Sequence, residues 1–186
     1  IMKALLDTNI IIHREASKVI NQDIGILYRW LERGKYTKCI HSLTIKEIEN
    51  HKDKQIVESF HIKLDSYECI EIPSPLQEAV VQISNQFDIN QNDRNDTQLL
   101  NEVFVGRADI LITEDKKIRK KAIVLGIENK VFTIDSFLEK VFAEHPELVN
   151  YKVLNVLKTK FGRINLDDNF FTSLKEDYDG FQKWFI

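Results

Sequence analysis

The sequence predicts an α/β fold, namely a three-layer α/β/α sandwich around a central, mainly parallel sheet. Short apolar runs alternate with segments of helical periodicity along most of the chain, which is the pattern of parallel strands joined by crossover helices. Two of these runs end at acidic residues, Asp7 and Glu114, and a helical pattern begins directly afterwards. With 186 residues, of which 43% are hydrophobic, the chain is long enough to bury one sizeable core.

The first half of the chain is expected to contribute three strands, at residues 3–6, 38–41 and 67–72. A helix follows the first strand, and a second helix covers residues 23–33 and ends before Gly34. Ser42 or Thr44 is expected to cap the helix after the second strand, and a further helix carries residues 56–64.

The second half begins with a helix at residues 76–87, after which a polar cluster at 90–95 breaks the pattern. Asp96 is expected to open the next helix. Residues 109–113 give the clearest strand, and a basic helix follows it. A last strand at 131–134 leads into a helix that Asp135-Ser136 is expected to cap and His145-Pro146 to close.

Composition and charge exclude several classes of protein. No apolar run is long enough to cross a bilayer and the N-terminus lacks an export pattern, so a cytoplasmic protein with no membrane partner is expected. The formal net charge of −3 argues against a strongly basic nucleic-acid coat. Cys39 and Cys69 lie in apolar runs without paired spacing, which favours core thiols over a disulfide or a zinc site.

Four acidic residues stand where the backbone would hold a metal ligand rigidly. Asp7 and Asp115 follow strands, Glu47 lies inside a helix and Asp96 begins one. In parallel sheets, ligands gather beyond the carboxyl ends of the strands. Carboxylate oxygens suit Mg²⁺ or Mn²⁺, and one or two such ions could activate a water and stabilise the leaving oxygen at a phosphodiester. Taken singly, each acid could equally end a strand or face solvent.

The acids belong to four short motifs, LLDTN at 5–9, SLTIKEI at 42–48, NDRND at 92–96 and ADILITED at 108–115. In this order the motifs resemble those of PIN-domain nucleases, over roughly residues 2–145. The resemblance implies a PIN-like sandwich and a Mg²⁺- or Mn²⁺-dependent endoribonuclease that hydrolyses RNA. The catalytic acids and metal ligands that it implies are Asp7, Glu47, Asp96 and Asp115, with Asn9 and Thr113 as supporting polar groups.

Other polar residues near the motifs have more than one interpretation. Asp93 could be a supporting residue of the acidic pocket, but a helix N-cap is favoured. Asp109 begins a strand and is expected to be structural. The basic cluster after Asp115 could bind RNA phosphates or form a solvated helix face, and the two interpretations are equal. Its members are Lys116, Lys117, Arg119, Lys120 and Lys121. The histidines show no metal-ligand spacing and are assigned no catalytic role.

Residues 146–186 differ from the rest and are rich in aromatic side chains. The stretch from Phe161 to Phe185 resembles the junction in bacterial proteins that fuse a PIN domain to a GNAT acetyltransferase. We therefore expect a linker and the start of a truncated C-terminal region, a native start at Met2, and no acetyl transfer by this chain. The resemblance also leads to the hypothesis of a toxin-antitoxin role with an antitoxin partner. The density of aromatic residues leads to the hypothesis of a homo-oligomer.

The sequence favours the nuclease over three alternatives. A catalytically silent PIN-like module that binds RNA or protein would keep its function in Asp7→Asn. A haloacid-dehalogenase-like phosphatase would use Asp7 as the nucleophile, but it requires a second Asp where this chain has Asn9. A structure-specific DNA nuclease is the third, although no insert suited to threading a strand is visible.

Overall fold

The computed structural model describes residues 2–15, 23–145, 171 and 175 of the chain. The chain divides into two compact units, Ile1–Val149 and Asn150–Ile186. All strands and helices described below belong to the first unit. Apart from Phe171 and Lys175, the expected linker and C-terminal region lie outside the described residues, so the expectations for them stay predictions.

Strands and helices alternate through the first unit. The strands are β1 (Lys3–Leu6), β2 (Thr37–His41), β3 (Glu68–Ile70), β4 (Ile110–Ile112) and β5 (Val131–Phe132). The helices are α1 (Thr8–Glu15), α2 (Asp23–Arg33), α3 (Ser42–Glu49), α4 (Lys54–Lys63), α5 (Glu78–Phe87), α6 (Gln91–Phe104), α7 (Lys116–Val124) and α8 (Ile134–Glu144). Two short 3-10 turns, Leu64–Ser66 and Glu128–Lys130, precede β3 and β5.

The five strands form one sheet in the order β3-β2-β1-β4-β5, and every neighbouring pair is parallel. β1 is the central strand, and its Leu5 pairs with Cys39 of β2 on one side and Leu111 of β4 on the other. Parallel neighbours need crossover connections, which the intervening helices supply. The predicted α/β class with a parallel sheet is confirmed.

Helices cover both faces of the sheet, since successive side chains of a strand point to opposite faces. Ala4 and Leu6 of β1 join a core formed with α1, α2 and α8, whereas Leu5 joins a second core formed with α6 and α7. All three side chains are fully buried. The chain therefore forms the three-layer α/β/α sandwich that its sequence predicts.

The direction of the strand order reverses between β1 and β4. From β1 the chain moves outward to β2 and β3, and it then returns to the other side of β1 as β4 and β5. The helix after β1 packs on one face of the sheet and the helix after β4 on the other. A crevice opens where two such strands end, and ligands of parallel sheets bind there. The residues that follow β1 and β4 are thus at the ligand-binding edge.

Two helices begin at residues that the sequence does not predict. His41, rather than Ser42 or Thr44, caps α3, because its Nδ1 accepts a backbone N–H from the first turn. Asn90 caps α6 through a capping box, so Asp96 lies in the second turn of the helix and does not open it. Histidine is not among the usual N-cap residues, and a polar cluster hides which of its members is the cap.

The bounds of β1 and α2 agree with prediction, whereas the edge strands are shorter than predicted. β3 has three residues and β5 has two. Thr133 caps α8 through a second capping box, in place of the predicted Asp135-Ser136. Because Thr133 takes this role, Ile134 belongs to the helix rather than to the strand. Apolar residues alone therefore do not mark where the last strand ends.

The remaining expectations for the core also hold within the described ranges. Cys39 is buried, Cys69 is half-buried, and neither forms a disulfide. Burial raises the pKa of the Cys39 thiol to about 11, so it behaves as a packed apolar group. None of the helices in residues 2–15 and 23–145 combines the length and the apolar composition that crossing a membrane requires.

Candidate active site

A cleft of about 990 Å³ contains all four predicted acids, Asp7, Glu47, Asp96 and Asp115. They come from four separate parts of the fold: the residue after β1, the middle of α3, the second turn of α6 and the residue before α7. Along the chain, Glu47 lies 40 positions after Asp7, Asp96 lies 49 after Glu47 and Asp115 lies 19 after Asp96, so only the fold brings the four acids together. Asn9, predicted as a supporting group, is exposed in the same cleft.

Asp7 is the most deeply buried of the four acids, with 4% of its surface exposed. Its backbone N–H bonds to β4, which fixes it at the edge of the sheet. Its Oδ2 accepts a hydrogen bond of 2.7 Å from Thr113 Oγ1. Burial raises the pKa of Asp7 to about 6, and the charges of Glu47 and Asp115 add to the rise, although the Thr113 bond opposes it.

Thr113 joins two of the acids. Its hydroxyl donates to Asp7 and accepts the backbone N–H of Asp115 at 3.0 Å. Asp115 is also the N-cap of α7, since its Oδ1 accepts from the N–H groups of Lys117 and Ile118. Capping fixes the carboxylate while one oxygen remains available to the cleft. The supporting position predicted for Thr113 agrees with these contacts.

Glu47 is held from both sides. Its Oε2 accepts a hydrogen bond of 2.5 Å from Thr8 Oγ1, and its Oε1 accepts one of 2.8 Å from Asn95 Nδ2. The two donors come from α1 and α6, so the half-buried carboxylate is oriented by the two helices that flank it. Thr8 directly follows Asp7, and Asn95 directly precedes Asp96. This adjacency to a predicted acid is the sequence signal by which both residues could have been identified.

Asp96 differs from the other acids because, among the described residues, no group donates a hydrogen bond to its carboxylate. It is half-buried. Burial raises the pKa of Asp96 to about 7, with further contributions from the negative charges of Asp7 and Asp115, while Lys121 lowers it. A carboxylate desolvated beside other carboxylates and left without donors is a group that gains from a cation.

The donor chemistry of the cleft fits Mg²⁺ or Mn²⁺. In the described part of the chain, no three His, Cys, Asp or Glu side chains stand close enough together to hold a metal ion. Mg²⁺ does not need such a cage, because it keeps several waters and binds through one or two carboxylates. The four acids offer oxygen donors, and the raised pKa values of Asp7 and Asp96 reflect burial first and then repulsion between carboxylates, which a divalent cation would relieve.

Asp93 has a structural role that accounts for its whole carboxylate. The favoured N-cap role is wrong, because Asn90 is the cap. Asp93 is the third residue of α6, and its Oδ2 accepts the backbone N–H groups of Ile89 and Asn90, which completes the capping box. Its Oδ1 accepts from Lys117 Nζ at 2.8 Å. The Lys117 bond, followed by the Ile89 N–H, lowers the pKa of Asp93 to about 2. Asp93 does not line the cleft.

Asp109 also behaves as expected of a structural residue. Its Oδ2 accepts the backbone N–H of Lys3 at 2.6 Å and so joins the beginnings of β1 and β4. These beginnings are at the opposite edge of the sheet from the cleft. The acid therefore strengthens the central strand pair and has no contact with the other carboxylates.

The basic cluster contains one residue that cannot contact RNA. Lys121 is buried, and its Nζ contacts Asp88 Oδ1 at 2.6 Å, Thr97 Oγ1 at 3.0 Å and the Asp93 carbonyl oxygen at 2.8 Å. The RNA-binding prediction is therefore wrong for this residue, because its ammonium group is enclosed by protein. Lys116, Lys117, Arg119 and Lys120 are exposed, although none of them lines the cleft. For these four the role stays a prediction.

The cleft also contains residues that sequence reasoning missed. Its walls carry Lys46, Asn50, His51 and Lys52 on one side, and Gln91, Asn92 and Asn95 on the other. The first group spans the end of α3 and the connection to α4, where no spacing relates it to the acids. Its position follows only from the packing of α3 against α1.

Comparison with known proteins adds no identification. No protein-family model and no curated protein matches this chain. The resemblance to PIN-domain nucleases is therefore carried by the four motifs, and the arguments for function come from the cleft.

Proposed function

We propose that the chain is a PIN-like endoribonuclease that depends on Mg²⁺ or Mn²⁺. The observation that supports this proposal is the meeting of Asp7, Glu47, Asp96 and Asp115 in one cleft at the reversal of the strand order. Acids from four distant segments serve no common packing purpose, and the repulsion among them destabilises the metal-free fold. Such a cluster is typical of a functional site.

In the proposal, Asp7 and Asp96 hold the cation, with Glu47 and Asp115 completing its surroundings directly or through water. A bound Mg²⁺ or Mn²⁺ polarises the phosphodiester and increases the acidity of an attacking water. The protein supplies orientation. Thr113 fixes Asp7 and Asp115 relative to each other, while Thr8 and Asn95 fix both oxygens of Glu47.

The test is cleavage of single-stranded and structured RNAs by the full chain with Mn²⁺ or Mg²⁺. EDTA serves as the metal-free control, and Asp7→Asn/Asp115→Asn is the inactivating variant. Glu58→Gln is the matched control, because Glu58 is an exposed acid of α4 outside the cleft. We expect cleavage that requires metal, survives in Glu58→Gln and disappears in the double variant.

Two results would contradict the proposal. Cleavage that the double variant retains would come from a contaminating nuclease. RNA binding without cleavage, unchanged in the double variant, would favour the catalytically silent module instead. Both results are distinct from a simple loss of folding, which circular dichroism of each variant would reveal.

Further parts of the proposal rest on the sequence alone, through composition or resemblance. They are a cytoplasmic location, an acetyltransferase-like domain following in cis, an antitoxin partner and a homo-oligomer. A toxin-antitoxin role predicts that expression of the chain arrests growth and that Asp7→Asn abolishes the arrest. Growth that is unaffected by the active chain would count against that role while leaving the nuclease proposal in place.

A further inference from the structure

The two walls of the cleft differ in chemistry. One wall is formed by the end of α3 and the α3–α4 connection, and we call it the cationic wall; it comprises Lys46, Asn50, His51 and Lys52. The other wall is formed by the first turns of α6, and we call it the amide wall; it comprises Gln91, Asn92 and Asn95. The acids lie between the two.

Both lysines of the cationic wall are available to a ligand. Lys46 and Lys52 are exposed, and neither forms an ion pair with any residue in the described ranges. Asp53, the nearest acid on that wall, uses its carboxylate to cap α4 by accepting the Gln55 N–H. Asp53 keeps its negative charge when it caps the helix, so the wall carries two lysine charges against one carboxylate, and neither lysine is held in an ion pair within the described ranges.

His51 adds a further hydrogen-bond donor to the same wall. Its Nδ1 accepts the backbone N–H of Asp53 at 3.1 Å, so in the neutral ring the proton is on Nε2. An imidazole fixed in this tautomer presents an N–H group that can donate to a phosphate oxygen. Half-buried in the cleft lining, the ring is positioned by its backbone contact rather than by a side-chain partner.

The exposed lysines of α7 make a poorer candidate for the same task. Lys117 is paired with Asp93, and Lys121 is buried against Asp88. Of the segment around α7, only Asp115 lines the cleft. Lys116 and Lys120 are exposed but belong to the outer surface of that helix, away from the lining.

We propose that the cationic wall binds the phosphates of single-stranded RNA that flank the bond to be cut, while the amide wall faces the bases. This inference rests on the proposed nuclease function and specifies its substrate site. Four carboxylates repel a polyanion, so cations beside them are needed to hold the strand. The exposed amides of Gln91 and Asn92 can donate to and accept from base edges, which are accessible in unpaired nucleotides.

The test measures binding without cleavage. Fluorescence anisotropy of a labelled single-stranded RNA is titrated with the full chain in EDTA, over a series of salt concentrations. The wall variant is Lys46→Gln/Lys52→Gln, and the matched control is Lys116→Gln/Lys120→Gln. Both pairs consist of exposed lysines, and both variants remove the same charge.

The wall variant should weaken binding about tenfold near physiological salt, because each lost phosphate contact to a single strand lowers the salt slope by about 0.7 and two contacts lower it by about 1.4. The Lys116→Gln/Lys120→Gln variant removes the same charge at the rival position on α7 and should lose less affinity than the wall variant. His51→Asn keeps an acceptor for the Asp53 N–H and should weaken binding, because it removes the Nε2–H donor.

Each contrary outcome has a separate meaning. Loss of affinity in the Lys116→Gln/Lys120→Gln variant but not in the wall variant would overturn the inference and move the strand to α7. Equal affinity for a duplex would overturn the choice of a single strand. If the wild type neither binds nor cleaves RNA, the proposed nuclease function itself fails. If the wild type cleaves RNA with metal but the wall variant binds as tightly as the wild type, the nuclease proposal stands and only the role of the cationic wall is rejected.

Discussion

Replacing Asp7 by Asn should stabilise the metal-free protein above neutral pH. The pKa of this carboxyl rises from its ordinary 3.8 to about 6, chiefly because it is buried. A tenfold change in an ionisation constant corresponds to about 1.4 kcal/mol, so the charged Asp7 lowers the free energy of unfolding by about 3 kcal/mol. Asn is close in shape and keeps an oxygen that can accept from Thr113.

The effect should depend on pH in a defined direction. Well below its ordinary pKa of 3.8 the carboxyl is protonated in both the folded and the unfolded state, so its charge costs nothing. As pH rises towards 6, the unfolded state releases the proton first and the wild type loses stability. Above that pH the loss is complete, and the advantage of Asp7→Asn reaches its full value.

Urea unfolding followed by circular dichroism, at about pH 4 and about pH 8, measures this difference. We expect nearly equal stabilities at the lower pH and a gain of about 3 kcal/mol for Asp7→Asn at the higher one. Saturating Mg²⁺ should then stabilise the wild type more than the variant, because only the wild type retains the full set of acids. A variant that is less stable at both pH values, or a difference that does not change with pH, would refute the reasoning.

Three further predictions test the contacts around the cleft. Lys121→Met should lower the free energy of unfolding by about 3–5 kcal/mol, because it leaves the buried carboxylate of Asp88 without its ion-pair partner. Lys120→Met, at an exposed position, should change the free energy of unfolding little. Equal losses for the two variants in urea unfolding would contradict the buried ion pair. His41→Ala should cost about 2–5 kcal/mol, because it removes the cap of α3 together with a fully buried ring beside Glu102. His41→Asn should recover the part due to the cap, about 1 kcal/mol, and an identical loss in both variants would disprove the capping role. Asn95→Ala should weaken Mn²⁺ binding about 10–100-fold in calorimetry, because it removes the hydrogen bond that orients one oxygen of Glu47. An unchanged affinity would show that the orientation of Glu47 by Asn95 does not matter for metal binding.

The central strands could be predicted from sequence because a strand buried on both faces appears as a continuous apolar run. β1 lies between two layers of helices, so its residues after Lys3 are apolar without interruption. The edge strands β3 and β5 could not be bounded in this way. Flanking residues of strand-like composition are used there for turns and helix caps, and pairing with a single neighbour ends early.

The acids of the site could also be predicted, whereas its walls could not. Asp7 directly follows β1 and Asp115 lies three residues after the end of β4, and the position of a strand end is a local property of the sequence. Lys46 and Lys52 reach the cleft only through the packing of α3, which no local pattern records. The burial of Lys121 has a faint local signal, since it lies three residues after the buried Ile118 on one face of the helix.

The most direct test of the proposed nuclease is the rate of RNA cleavage by Asp96→Asn in Mn²⁺. Asp96 accepts no hydrogen bond from the described residues, so the substitution should leave the fold intact and remove only a metal-binding charge. We expect a rate at least about 100-fold below that of the wild type, given that loss of groups which merely support a ligand costs 10–100-fold. Cleavage by Asp96→Asn at the wild-type rate would contradict a carboxylate-held metal at this cleft.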